Sequence, residues 1–175
     1  MTAREVLIWP DPRLKQISEP ITQIDESTHR LVRDLTHTMV REGPSAGISA
    51  PQIGVYKRLF IVDIPPDHNH GNGTEGVEVY INPEIIYKSD EVFTWDEGCL
   101  SLPGLRGQVT RHYTVVVRYQ NLAGETLERE AIEYLGGCFQ HEIDHLNGIL
   151  WVDYQSKLKQ NLIRKKMLKL KKAPI

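Results

Sequence analysis

The chain has 175 residues, 40% of them hydrophobic and a quarter charged, with a formal net charge of −2 at neutral pH. That composition belongs to a water-soluble globular protein long enough to bury a core without disulfide staples. No apolar run approaches the ~20 residues of a membrane span, the opening Met1–Glu5 lacks the apolar stretch of a secretory signal, and two cysteines exclude a disulfide scaffold. The expectation is therefore a single cytoplasmic domain over residues 1–175.

In chain order, the apolar stretch Val6 to Trp9 runs into the turn-rich Pro10-Asp11-Pro12-Arg13-Leu14. Thr28, Leu31, Val32, Leu35 and Met39 then recur at helical spacing, with Asp25 as N-cap and Gly43-Pro44 as the stop, which predicts a helix from Asp25 to about Arg41. Ala46 to Gly54 is too rich in small and turn-forming residues for a regular element. Leu59 to Ile64 reads as a short buried strand. Pro65 to Gly76 reads as a polar loop, and its His68 and His70 have no third ligand nearby. Strand patterns follow at Glu78–Ile81, Ile85–Tyr87, Glu91–Trp95, Val109–His112, Thr114–Tyr119 and Glu125–Arg129, the last two as a hairpin around Asn121-Leu122-Ala123-Gly124.

Next comes a helix with Leu135, Phe139, Ile143 and Leu146 at helical spacing, then a final helix from about 156 to 172 with Leu158, Leu162, Ile163, Met167 and Leu170 as its apolar side. Strands gathered ahead of one central helix, with helices near both ends, indicate an α+β domain of mainly antiparallel strands. From Lys157 onward there are eight basic residues and no acidic one, which leaves 13 basic against 23 acidic residues in the rest. A basic final helix on an acidic body is more often a solvated helix face than a contact with nucleic acid or the ribosome, and the sequence leaves both readings open.

The central helix carries Gln140-His141-Glu142-Ile143-Asp144-His145. Histidines four residues apart lie one turn above each other, so both rings reach one metal ion, and Glu142 is placed to take a proton from a water on that ion. A third ligand must come from elsewhere. Cys138 is seven residues from His145, about 10 Å along the axis, and its short side chain tilts away from a metal held between the histidines. Cys99 follows a strand and sits in a Gly-containing turn, so it can present a thiolate from outside the helix. Cys99, His141 and His145 would leave a fourth position open for water, as hydrolytic sites do. A structural metal site would instead be closed by a fourth protein ligand and would have no use for Glu142.

Three separated segments, Gly47-Ile48-Ser49-Ala50-Pro51-Gln52, Glu97-Gly98-Cys99-Leu100-Ser101 and Gln140-His141-Glu142-Ile143-Asp144-His145, resemble the peptide deformylases in content, order and spacing. Pro10-Asp11-Pro12-Arg13-Leu14 agrees as well, and the likeness covers nearly the whole chain. The zinc peptidases that share the helix motif lack the cysteine segment. Ser45, Ile48 and Ser49 stand where the family usually has glycine, leucine and alanine, and the helical C-terminus resembles the bacterial type.

The resemblance implies hydrolysis of the formyl group of N-formylmethionyl peptides, with one divalent metal. Fe²⁺ is the native ion in many members, and Zn²⁺, Ni²⁺ or Co²⁺ is also found. It makes Glu142 the general base and acid, and Gln52 and the Leu100 backbone N–H the oxyanion donors. Gly47 and Ile48 are implied to receive the substrate as an added strand, with Glu97, Gly98 and Arg106 near it. The sequence is silent on self-association.

Overall fold

The computed structural model describes residues 3–65 and 73–170, so His68 and His70 lie outside the described residues. Strands Gly47–Ser49 (β1), Leu59–Val62 (β2), Glu78–Lys88 (β3), Thr114–Gln120 (β6) and Thr126–Ile132 (β7) form one sheet in the order β1-β2-β3-β6-β7, each neighbouring pair antiparallel. Val92–Gly98 (β4) and Arg106–His112 (β5) make a separate antiparallel pair in which Glu97 lies opposite Gly107. The helices are Glu26–Glu42 (α1), Glu133–Leu146 (α2) and Lys157–Leu170 (α3), with 3-10 turns at Pro12–Lys15, Ala50–Ile53 and Trp151–Tyr154. The architecture is α+β, as expected.

β2 explains how the layers stack. Leu59 and Ile61 pack with Leu31, Leu35 and Met39 of α1, whereas Phe60 and Val62 pack with Leu135, Phe139 and Ile143 of α2. All four strand residues are fully buried, and burial on both faces is why the run is continuously apolar rather than alternating. α1 starts at Asp25, whose carboxylate accepts from the backbone N–H groups of Ser27 and Thr28.

α2 is buried on nearly every side, the pattern of a core helix. Two adjacent glycines let it sink. A Cβ on Gly136 would lie 2.8 Å from the Ala131 carbonyl oxygen, and one on Gly137 would lie 2.9 Å from the Trp95 ring.

Besides β1 and the Ala50–Ile53 turn, which lie in a stretch expected to hold no regular element, two expectations need correction. The segments Glu78–Ile81 and Ile85–Tyr87 are one strand that runs through Asn82-Pro83 with a shift of register against β6. Asn82 holds a positive φ of 51° there. Its side chain accepts from Ile21 N at 2.8 Å and donates to Ile21 O at 2.8 Å and Gln120 Oε1 at 3.0 Å, bonds that anchor the kink where Pro83 has no N–H to offer.

The apolar side expected for α3 is the second. Met167 is buried and Ile163 half-buried against the Trp151 cluster, but Leu158 is 71% exposed and Leu162 and Leu170 are also exposed. The helix touches the body along a narrower stripe than its composition suggests. Among the described residues no helix is long and apolar enough to cross a membrane.

Candidate active site

His141 and His145, one turn apart on α2, bring their Nε2 atoms to 3.2 Å from each other. Cys99, one residue past the end of β4, places Sγ 3.3 Å from His145 Nε2. The three donor atoms all lie within 4.8 Å of one another, the set expected for a thiolate and two imidazoles on one borderline divalent ion. Cys138 stays outside this cluster and packs in the core beside Phe139.

The electrostatics also fit a cation. Burial works against a charged His141, yet its hydrogen bonds to Cys99 and Glu97 hold it well above the ordinary histidine range, so the surroundings favour positive charge at this point. His145 is pushed well below that range by burial first, then by His141. Glu142 Oε2 is buried and has no hydrogen-bond partner among the described residues. Burial pushes the Glu142 carboxyl up to about 7, a value suited to accepting and returning a proton near neutrality.

Gln52, in the 3-10 turn, is fixed from both ends of its amide. Its Oε1 accepts from Ser49 N at 2.9 Å and Ser49 Oγ at 3.0 Å, so its Nε2 faces Cys99 Sγ at 3.4 Å and Ser101 Oγ at 3.2 Å. Ser49, a departure from the usual pattern, thus adds a hydroxyl that orients Gln52. Ser45, another departure, donates from its hydroxyl to Gly47 O at 2.8 Å. The N-terminal segment ties these walls together, since Leu7 N donates to Gln52 O and Trp9 N to Ser101 O.

Gly47 runs flush against the site: a Cβ there would lie 2.8 Å from Ile61 O and 3.1 Å from Glu142 Oε1. The Ile48 side chain is fully buried in the α1 cluster, and its position in the strand is opposite Ile61 of β2. β1 pairs only with β2 among the described strands, so it forms an edge of the sheet.

Glu97 is not beside the space a substrate would enter. Its side chain is fully buried, facing His141 Nδ1 at 2.7 Å and accepting two hydrogen bonds from Arg111. The reason is strand alternation: Glu97 is the inward-facing residue near the end of β4. Burial alone would raise its carboxyl, but His141 and Arg111 bring it down to about 2. Arg106, by contrast, lies at the rim and donates to Asp96 O at 2.6 Å. Gly98 is beside it, where a Cβ would meet the Arg106 guanidinium at 3.1 Å.

Sequence reasoning passed over Arg111, Trp95 and Tyr134. Arg111 carried a signal, because it shares the inward register of β5 with the buried Val109. Cys99, His141 and Glu142 line a cleft of about 480 Å³ that also takes in Gly47, Gln52 and Leu100. One wall of it is made by Trp95 and Tyr134, whose rings meet edge-to-face at 4.9 Å.

Comparison with known proteins agrees with this geometry. Residues 3–161 match the family model described as polypeptide deformylase. The peptide deformylase of Rhodopseudomonas palustris is 41% identical over all of this chain and 98% of its own length. That of Erythrobacter litoralis is 40% identical over 99% of this chain and all of its own length. Among solved structures, the Ehrlichia chaffeensis peptide deformylase in complex with actinonin superposes with a TM-score of 0.92 at 33% identity, covering 99% of this chain and all of that one. A Met-Ala-Ser-bound class I type b peptide deformylase from Acinetobacter baumannii gives 0.81 at 34% identity, over 88% of this chain and 99% of its own. With Cys99, His141 and His145 gathered beside its cleft, the chain belongs to the polypeptide deformylase family.

Proposed function

We propose that this chain removes the formyl group from N-terminal formylmethionine of nascent polypeptides and releases it as formate. A divalent cation would be held by Cys99 Sγ and the Nε2 atoms of His141 and His145, with Fe²⁺ native and Zn²⁺, Ni²⁺ or Co²⁺ able to replace it. When bound, the ion supplies Lewis acidity toward the formyl oxygen and lowers the pKa of a water molecule.

The residues of the chain do the rest. Glu142 accepts the proton of the attacking water as its oxygen adds to the formyl carbon, then gives that proton to the leaving amine as the C–N bond breaks. Gln52 Nε2 and the Leu100 N–H donate to the oxygen on which negative charge develops. The peptide pairs with the open edge of β1 through the backbone at Gly47 and Ile48, with Gly98 and Arg106 beside it. Its methionine side chain packs against the Trp95–Tyr134 wall, where a thioether and aromatic rings attract each other. The basic side chains of α3 suit the anionic surface of the ribosome, which would place the enzyme where nascent chains emerge.

The observation that supports this reading most is the three-donor cluster in a cleft shared with Glu142, one of whose buried oxygens has no hydrogen-bond partner among the described residues. The test is incubation of metal-loaded protein with formyl-Met-Ala-Ser, following formate and free amine. Stoichiometric release of both is expected. Release of neither, or cleavage at an internal peptide bond, would overturn the reading. Iron should be the metal recovered from protein purified without oxygen; zinc in such a sample would count against Fe²⁺.

A further inference from the structure

The ligands of the cluster come from two separate pieces of chain. Cys99 follows β4, and both histidines lie on α2. Something must fix the β4–β5 pair against the helix to within a few tenths of an ångström if the three donors are to meet.

Arg111 of β5 spans that junction. Its Nε and Nη2 donate to the two carboxylate oxygens of Glu97 at 2.7 and 3.1 Å, a two-point grip that leaves the carboxylate no rotation. Its Nη1 donates to Asp144 Oδ2 on α2 at 2.6 Å. Tyr154, at the end of the 3-10 turn that follows α2, closes the circuit. Its hydroxyl donates to the same Asp144 oxygen at 2.7 Å, and its ring lies under the guanidinium at 4.9 Å. Glu97 Oε2 is left facing His141 Nδ1 at 2.7 Å. An ionised carboxylate only accepts, so Nδ1 is the donor in this bond and Nε2 is the ring nitrogen turned toward the other two donors.

The Arg111 and Glu97 side chains are 4% and 0% exposed. Burying such a pair costs about as much desolvation as the attraction returns, so stability alone is a weak reason for it. Its position between the two ligand-bearing elements is a better one.

We infer that Arg111, held by Asp144 and Tyr154, is a positioning residue for the metal site: it locks Glu97 against His141 and ties Cys99 to the histidine pair. This rests on the metal site proposed above. Touching no substrate, the brace acts on how tightly, and in what geometry, the ion is held.

The test is competitive titration of the metal-stripped protein with Co²⁺ against a chromophoric chelator, together with the ligand-field spectrum of the cobalt form and the melting temperature of the stripped protein. Arg111→Met should weaken binding roughly 10–100-fold. Arg111→Lys, which keeps the charge but not the fork, should fall between it and wild type. Tyr154→Phe, which loses one hydroxyl at a half-exposed position, should show a smaller loss and a shifted spectrum. The last two variants keep the test decisive if Arg111→Met does not fold. Cobalt affinity and spectrum indistinguishable from wild type in both, whatever their melting temperatures, would reduce the brace to a fold contact and overturn the inference. Failure of the wild-type protein to bind one cobalt ion would instead overturn the metal site itself.

Discussion

Glu142 is a carboxylate placed where water cannot easily solvate it, in the lining of the same cleft as Cys99 and His141 and with Gly47 pressed against one of its oxygens. Replacing it by alanine removes a proton carrier and none of the three ligands. Glu142→Ala should therefore retain one metal ion per chain and lose roughly two to four orders of magnitude in kcat/KM on formyl-Met-Ala-Ser. Metal analysis beside steady-state kinetics checks both halves, and a metal-replete variant that kept most of its activity would remove Glu142 from the chemistry. The two cysteines make the complementary case. Cys99→Ser exchanges a thiolate ligand for a weak hydroxyl, so purified protein should lose most of its metal, whereas Cys138→Ser should keep the wild-type stoichiometry. The opposite result would mean that the donor set had been misassigned.

At the scale of elements, the β4–β5 pair packs on the Trp151–Tyr154 turn through a missing side chain. A Cβ on Gly107 would lie 2.3 Å from the Trp151 ring, and that ring is fully buried. Gly107→Ala should destabilise the protein by about 1–3 kcal/mol, the usual cost of forcing volume into a packed core, visible as a lower denaturant midpoint with an unchanged slope. An unchanged midpoint would show that the indole can shift freely. Elements of this kind were unevenly legible in the sequence. α1 announced itself through helical spacing and its Asp25 cap, and α2 through spacing alone, because their buried faces are set by their own residues. β3 did not, because the bonds that carry it through Asn82-Pro83 come from Ile21 and Gln120, far away in the chain. The apolar side of α3 misled for the opposite reason: spacing describes a face, and only tertiary packing decides whether anything covers it. The convergence of Cys99, His141 and His145 was readable because histidines four residues apart share a helix face and Cys138 lies too far along that helix to join them. The true environment of Glu97 was not, since its partner Arg111 is brought to it by strand pairing.

For the whole molecule, charge is divided between an acidic body and a basic, largely solvent-facing α3. If that helix meets ribosomal RNA, co-sedimentation with ribosomes should weaken steeply as salt rises. A variant with Lys159, Lys165 and Lys166 changed to Glu should fail to co-sediment while its kcat/KM on a formylated tripeptide stays as in wild type. Equal co-sedimentation of both proteins would detach the helix from that role. The strap formed by Leu7 and Trp9 has a consequence of a different kind. These residues clasp Gln52 and Ser101, whereas the histidine pair lies much further along the chain, at positions 141 and 145. Pairings so distant in sequence form late, because the intervening chain must be closed before they are rewarded. A chain without α2 keeps Leu7 and Trp9 beside Gln52 and Ser101 but lacks both histidines and Glu142, so the donor cluster is complete only once α2 has packed against the rest of the fold.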